Sequence, residues 1–418
     1  MENTRFSWKQ SNSKALVKIG LISELDFAIA WVVIQTISAG IFIPISPHLP
    51  LPILFFLPFG RYFIKRATLL AFIRQLISPW FLAVVSFFVL YRVLGDGIAN
   101  LPYVISMVLL VALLTIFIRY YDCNKFGWLF LIAILISSIF FILRVRDNEL
   151  ANKIYNSIWG IARSPVSTGF TATLFDYGYQ LAAIFPVCIT LCIGHYDKKI
   201  RFLGFIAFVF ISYCIGVSGQ RSAAIGAISS SMLLLLFLRG KKKIYLILLL
   251  LILFSLLFFV PGIGANYLII KVQSYSDYEW RSSLQIRAID TILDYPLGLF
   301  LSNTKWAKIA KDLIGVENIS AHNAYLVHVL NMGWLAAIWI AFTLGLSLLK
   351  FFRKLQISFA NGEKYYYMRL GLTLGFVSVL LNALFHNASL FTLESSTIIL
   401  YCALWMWPIN QTSCQSRV

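Results

Sequence analysis

KKKIYLILLLLILFSLLFFV, residues 241–260, decides the fold. Three lysines open onto an apolar run that shows no alternation of polar and apolar positions. Crossing a bilayer takes about 20 apolar residues in a helix. Backbone in hydrocarbon has no water to bond to, so such a run must close its hydrogen bonds within itself as an α-helix. A membrane β-barrel would instead be written as short alternating strands. Comparable runs lie at 24–45, 49–64, 77–94, 100–119, 127–145, 178–195, 200–217, 222–238, 324–349, 366–386 and 388–408. The second is short and Pro-rich, with Pro47, Pro50, Pro52 and Pro58 in or beside it, and reads as a broken or re-entrant helix.

Composition agrees. The 418 residues are 60% hydrophobic, 16% aromatic and 12% charged, with mean hydropathy +0.81, net charge +18 and a pI near 9.7. Soluble proteins carry about 25% charged residues. Half that fraction cannot cover a water-facing surface, which excludes a soluble enzyme, a disordered tail and a nucleic-acid-binding module. The expected fold is all-α and polytopic, with about twelve transmembrane helices. The six cysteines (Cys123, Cys188, Cys192, Cys214, Cys402, Cys414) form no CxxC pair and no metal spacing. Residues 1–20 are polar and basic and do not resemble a cleavable signal peptide.

Lys and Arg set the orientation. They gather at the N-terminus and at every second connection: Arg61, Lys65, Arg66 and Arg74; Arg119 and Lys125; Lys198, Lys199 and Arg201; Arg239 and Lys241–Lys243; Lys350, Arg353, Lys354, Lys364 and Arg369. These connections read as cytoplasmic, with both termini inside. The chain then divides into residues 1–260, holding helices 1–9 and an outer loop at 146–177; a large outer segment at 261–323; and residues 324–418, holding helices 10–12 and a short cytoplasmic tail. Within the outer segment, RSSLQIRAIDTILDY (281–295) puts Leu284, Ala288, Ile292 and Leu293 on one helical face. KWAKIAKDLIG (305–315) does the same with Trp306, Ile309 and Leu313. Both are expected to be amphipathic helices on the outer membrane surface, with Pro296 and Gly298 as punctuation between them.

Four arginines face outward in this topology: Arg163, Arg221, Arg281 and Arg287. Arg221, in SGQRSAA, sits between two apolar spans with almost no loop. A charge so near hydrocarbon lines a cavity, meets a partner, or snorkels at a helix end. Guanidinium also suits phosphate through its bidentate fork. His322, in SAHNAYLVHVLNMGWL, lies where the outer segment meets the next span. Imidazole can take a proton from a hydroxyl, although a histidine at a helix start also serves as a plain polar cap. His328, six residues on, falls about 240° around the helix and does not share a face with His322 as zinc ligands at i,i+4 would. Asp277 and Glu279 in SDYEW make a weak D-x-E pattern. No metal site and no cofactor is expected. Glu394, within the last span, is the main argument for a proton-coupled transporter, with His386 near it.

His322-Asn323, then nine residues and Gly333, resembles the O-antigen ligase and polysaccharide polymerase family of bacterial membrane glycosyltransferases. SGQRSAA with Arg221 resembles that family's Arg in a short outer turn. RSSLQIRAID followed by DYPLG resembles the Arg-bearing start of its large periplasmic segment. ARSPVSTGF, with Arg163 and Gly169, resembles an Arg-to-Gly stretch ahead of its middle spans. The likeness covers roughly 160–340; one departure is Ala336, where the family often has Gly, Thr or Tyr. The resemblance implies a GT-C-like enzyme of the bacterial inner membrane whose active site faces the periplasm. It would move a glycan from undecaprenyl diphosphate to a sugar hydroxyl, without metal, inverting the anomeric carbon. The acceptor would be a lipid-linked repeat (polymerase) or lipid A–core (ligase). His322, Arg221 and Arg287 would be catalytic, with Arg281, Arg163 and Asn323 binding substrate. Partners would be the lipid-linked donor, the saccharide acceptor, membrane lipids and other polysaccharide-assembly proteins, with no nucleic acid. The competing expectation is a polytopic transporter or lipid-linked glycan flippase, with its ionisable groups nearer mid-membrane.

Overall fold

The computed structural model describes residues 65–86, 108, 111–112, 114–119, 123–146, 149–150, 153, 169–218, 220–259, 276–302, 304–315, 321–363, 365–385 and 396–407. The candidate spans at 24–45 and 49–64 lie outside these residues, as do Arg163, His386 and Glu394. Every regular element among the described residues is helical. In chain order they are α1 (Arg66–Leu76), α2 (Pro79–Ser86), α3 (Cys123–Arg146), α4 (Gly169–Gly194), α5 (Lys198–Ser218), α6 (Arg221–Phe237), α7 (Lys241–Phe259), α8 (Ser276–Asp294), a 3₁₀ turn at Leu299–Leu301, α9 (Trp306–Ile314), α10 (Ala324–Met332), α11 (Trp334–Ala360), α12 (Tyr366–Asn382) and α13 (Ser396–Met406).

By length and composition, Cys123–Leu143, Lys198–Ser218 and Trp334–Ala360 can each cross a membrane; Gln180–Gly194 and Ser222–Phe237 are shorter apolar helices. The count of about twelve spans rests on the sequence. One expected span divides: 324–349 is two helices, broken at Gly333, whose φ of 76° and ψ of −170° cannot continue a helix. Residues 66–76, expected as a basic connection, form a helix. Its Leu69, Leu70, Ile73 and Ile77 are exposed along one stripe, while Thr68 and Gln75 turn inward.

The centre of the bundle is α4, packed against α5, α6 and α12. Helices come this close where one of them lacks a side chain. A Cβ on Gly375 of α12 would lie 2.2 Å from the Ala183 carbonyl oxygen, and one on Gly371 would lie 2.8 Å from the Val187 Cα. These contacts run in opposite directions along the two helices, so α4 and α12 are antiparallel. In hydrocarbon, packing of this kind replaces the hydrophobic drive between helices. Large aromatics help fill the interior: Phe117, Phe126, Phe130, Phe185, Phe208, Phe351 and Phe376 are fully buried. Tyr401 is a hub, with ring centroids 4.6 Å from Trp80, 5.8 Å from Phe351 and 5.6 Å from Trp405.

Several of the basic residues read as cytoplasmic meet at one end. Lys242 Nζ bonds the Tyr367 hydroxyl, and Tyr367 lies beside Gly194 at the end of α4. Arg239 lies over the Phe359 ring at 5.3 Å, and Arg369 pairs with Glu363 at 3.4 Å. Lys354 Nζ donates to the carbonyls of Leu404, Trp405 and Trp407 at 2.8, 2.8 and 3.0 Å. These are carbonyls that the end of α13 leaves without intrahelical donors, so the ammonium closes that helix.

Candidate active site

The other end of the bundle holds the candidate residues. Here α12 finishes and α10 begins, and the two termini satisfy each other. Ala324 N–H donates to the Ala383 carbonyl at 2.9 Å, and the Tyr325 hydroxyl donates to the Leu380 carbonyl at 2.9 Å. Carbonyls in the last turn of a helix need outside donors, and the start of α10 supplies two.

Between the outer segment and α10 lie Ala321, His322 and Asn323. Asn323, not His322, is the cap: its Oδ1 accepts from the N–H groups of Tyr325 at 3.0 Å and Leu326 at 3.1 Å. That oxygen is committed to the helix, which narrows any substrate role for Asn323 to its amide nitrogen. His322 is the one non-glycine residue with positive φ among the described residues, at 51°. Its side chain is half-buried. A left-handed backbone costs an L-residue roughly 1–2 kcal/mol, and residues held so gather at functional sites. Ala321, fully buried before it, and the Asn323 cap after it hold the turn in place. Replacing Asn323 by Ala is expected to cost about 1 kcal/mol, read as a lower thermal midpoint, with Asn323→Asp restoring most of it. An unchanged midpoint in Asn323→Ala would remove the cap from the argument.

Arg221 opens α6. The N-cap Gln220 makes no side-chain capping bond. An uncapped helix start carries free N–H groups and the positive end of the helix dipole, and a cation placed there works against the dipole. Such an end is stabilised by an anion. A Cβ on Gly226 would lie 2.8 Å from the Ser378 carbonyl oxygen and 3.6 Å from Asn382 Cβ. Gly178 of α4 meets Gln220 and Ala223, and α4 is antiparallel to α12, so α6 starts beside the α12 terminus to which Ala324 is bonded and runs antiparallel to α12.

Arg287 is exposed on α8. Leu284, Ala288 and Ile292 of that helix are buried, as expected, while Leu293 is 63% exposed and belongs to the opposite side with Ile286 and Ile289. The buried face meets protein rather than the membrane surface: Ala288 and Ile292 share a cluster with Ala321, Leu299 and Leu330. Arg287 is therefore carried on a helix seated directly against the turn that holds His322. The backbone of Arg281 lies in the same helix. On α9, Trp306 and Ile309 pack against this cluster, and Leu313 is 42% exposed.

Pro296 and Gly298 do more than punctuate. Trp334 N–H donates to the Pro296 carbonyl at 2.9 Å. A Cβ on Gly333 would lie 2.3 Å from that same oxygen, and one on Gly298 would lie 2.4 Å from the Asn331 carbonyl oxygen. Both glycines have positive φ, 76° and 89°. The DYPLG turn is thus docked backbone to backbone on the α10–α11 break.

Sequence reasoning passed over two residues here, Gln220 and Asn382. Both are polar, in or beside apolar runs, and nearly inaccessible, at 3% and 0%. That placement is itself the signal that could have found them. His328 is 5% exposed within α10. Among the described residues, no group of three or more His, Cys, Asp or Glu gathers.

No curated protein matches the chain. Residues 206–341 match the family model described as O-antigen ligase. That stretch contains Arg221, Arg281, Arg287, His322, Asn323 and Gly333 but not Arg163. Over residues 206–341, about a third of its length, the chain is similar to the O-antigen ligase family.

Proposed function

We propose that the chain is a metal-independent, inverting glycosyltransferase of the bacterial inner membrane whose active site faces the periplasm. It transfers a glycan from undecaprenyl diphosphate to a sugar hydroxyl, as a surface-polysaccharide polymerase or as a ligase acting on lipid A–core. The observation that best supports this reading is the His322 end of the bundle. A strained histidine there is bonded, through Ala324, to a helix terminus that the Arg221 end of α6 also borders. Reading the Lys/Arg end as cytoplasmic turns the His322 end toward the periplasm, and the twelve-span topology follows from the same rule.

Two charges change during transfer. The acceptor hydroxyl gives its proton to His322 as its oxygen attacks the anomeric carbon. The bond from that carbon to the diphosphate breaks, and its electron pair stays on the diphosphate oxygen. Arg221 and the N–H groups at the start of α6, which the N-cap side chain does not cap, stabilise that growing charge, with Arg287, Arg281 and Arg163 as further cations. Attack opposite the leaving group inverts the carbon.

The test uses the full-length protein in nanodiscs with a lipid-diphosphate-linked glycan. Transfer should persist in excess EDTA, and the product linkage should show inverted anomeric configuration by NMR. Retention, or loss of transfer on chelation, would refute the corresponding part of the mechanism. A lipopolysaccharide gel from a deletion strain then separates the acceptors. Bare core with polymer accumulating on the carrier means a ligase, and core capped with one repeat means a polymerase.

A further inference from the structure

Buried hydroxyls in this bundle usually bond a carbonyl of their own helix. Ser212, Ser231, Ser347 and Thr373 each donate to the residue four before them. Three side-chain amides break the pattern among the described residues. Both polar atoms of Gln75, Gln220 and Asn382 are buried without a hydrogen-bond partner. Gln75 lies in α1. The other two lie at the His322 end, where Ser378 Oγ and Gln180 Oε1 are in the same condition.

The glycines place them together. A Cβ on Gly178 of α4 would lie 1.8 Å from Gln220 Oε1, so the Gln220 amide rests on the α4 backbone at that level. Gly371 meets Val187 and Gly375 meets Ala183, and this antiparallel register brings Asn382 level with the turn of α4 just before Gly178. Gly226 of α6 touches both Ser378 and Asn382. Gln220 and Asn382 therefore both lie toward the same end of the α4–α6–α12 junction. Gln220 immediately precedes Arg221, and Asn382 immediately precedes Ala383, the residue bonded to the His322 turn.

A buried amide with neither donor nor acceptor satisfied is costly, and packing alone would favour an apolar residue of similar shape. We propose that Gln220 and Asn382 form a neutral subsite that binds hydroxyl groups of a sugar ring beside His322 and Arg221. The proposal rests on the glycosyl-transfer reading above. An amide offers two N–H donors and one acceptor oxygen, which matches a pair of neighbouring hydroxyls. A diphosphate only accepts, so each amide oxygen would face an anionic oxygen. Diphosphate fits Arg221 and the helix start, and the sugar fits the amides.

The experiment measures direct binding to the full-length protein in nanodiscs. One probe is the repeat-unit oligosaccharide freed by mild acid from the producing strain's own lipid-linked glycan; the other is inorganic pyrophosphate. Gln220→Met and Asn382→Leu keep the shape and remove the amide. Each should raise the oligosaccharide Kd about tenfold or more, leave pyrophosphate binding unchanged, and leave the thermal midpoint equal or higher. Should an apolar variant fail to accumulate, Gln220→Ala, which only removes atoms from the Gly178 contact, gives the same readout. Oligosaccharide binding that is equal in wild type and variants, or absent from wild type, overturns the subsite. Loss of pyrophosphate binding instead also overturns it. If the variants lose oligosaccharide binding while the wild type transfers no glycan, the transfer reading fails and the subsite stands.

Discussion

Replacing His322 by Asn should abolish polysaccharide transfer while leaving the protein folded. Asn is chosen because the backbone there is left-handed, at φ 51°, and Asn tolerates that region best after Gly. Ala at the same position would add strain to the loss of the imidazole and confuse the two effects. A general base is worth about 10²–10⁴-fold, so kcat/KM should fall by that factor with the thermal midpoint little changed. In a complemented deletion strain the variant should behave as the deletion. Arg221→Ala should give a comparable loss, since removing one preorganised charge from a transition state costs about 10²–10³-fold. Arg221→Lys should recover only part, because an ammonium lacks the bidentate fork. Intact surface polysaccharide from both His322→Asn and Arg221→Ala would sink the proposed chemistry.

The second large effect is on architecture. Gly333→Ala should release the outer segment from the membrane helices. The new Cβ would lie 2.3 Å from the Pro296 carbonyl oxygen and 2.8 Å from the Gly298 nitrogen, at a φ of 76°. Strain of that kind costs about 1–3 kcal/mol before the clash is counted. The clash is with backbone, which cannot swing aside as a side chain can. The Trp334–Pro296 bond and the packing of α8 over Ala321 and Leu330 should both loosen. Limited proteolysis between residues 276 and 315 should become fast where it is slow in the wild type. Gly298→Ala meets the Asn331 carbonyl oxygen from the other side at 2.4 Å, so it should give the same phenotype. The double variant should cost little more than either alone, because both break one contact. Wild-type proteolysis in Gly333→Ala would show that the contact does not hold the segment.

This contact also explains a motif. The nine-residue spacing from Asn323 to Gly333 spans α10, one short helix with a cap at its start and a glycine break at its end. The sequence displays the cap, the apolar stretch and the glycine, but read by hydropathy alone they merge into one span at 324–349. Hydropathy measures lipid compatibility, and a φ of 76° at one residue leaves no mark on it. The face of α8 was legible in Leu284, Ala288 and Ile292, which have helical spacing. What covered that face was not legible, since an apolar stripe fits a bilayer surface and a neighbouring helix equally well. Leu293 shows the limit of the pattern: only one residue from Ile292, it falls past the edge of the buried face.

By itself the sequence determined that the chain is helical and membrane-embedded, because continuous apolar runs leave the backbone no other way to close its hydrogen bonds. It also marked residues with chemistry to offer: Arg221, a charge between two apolar spans where polarity is expensive, and His322 and Arg287 in the outer segment. Only the tertiary structure decided which of these share an end of the bundle, that Asn323 rather than His322 caps α10, and that Gln220 and Asn382 are buried beside the α6 and α12 termini. The reason is physical. A propensity or a hydropathy run belongs to a segment. The strain at His322 and the unmet amides of Gln220 and Asn382 arise only where separate segments meet.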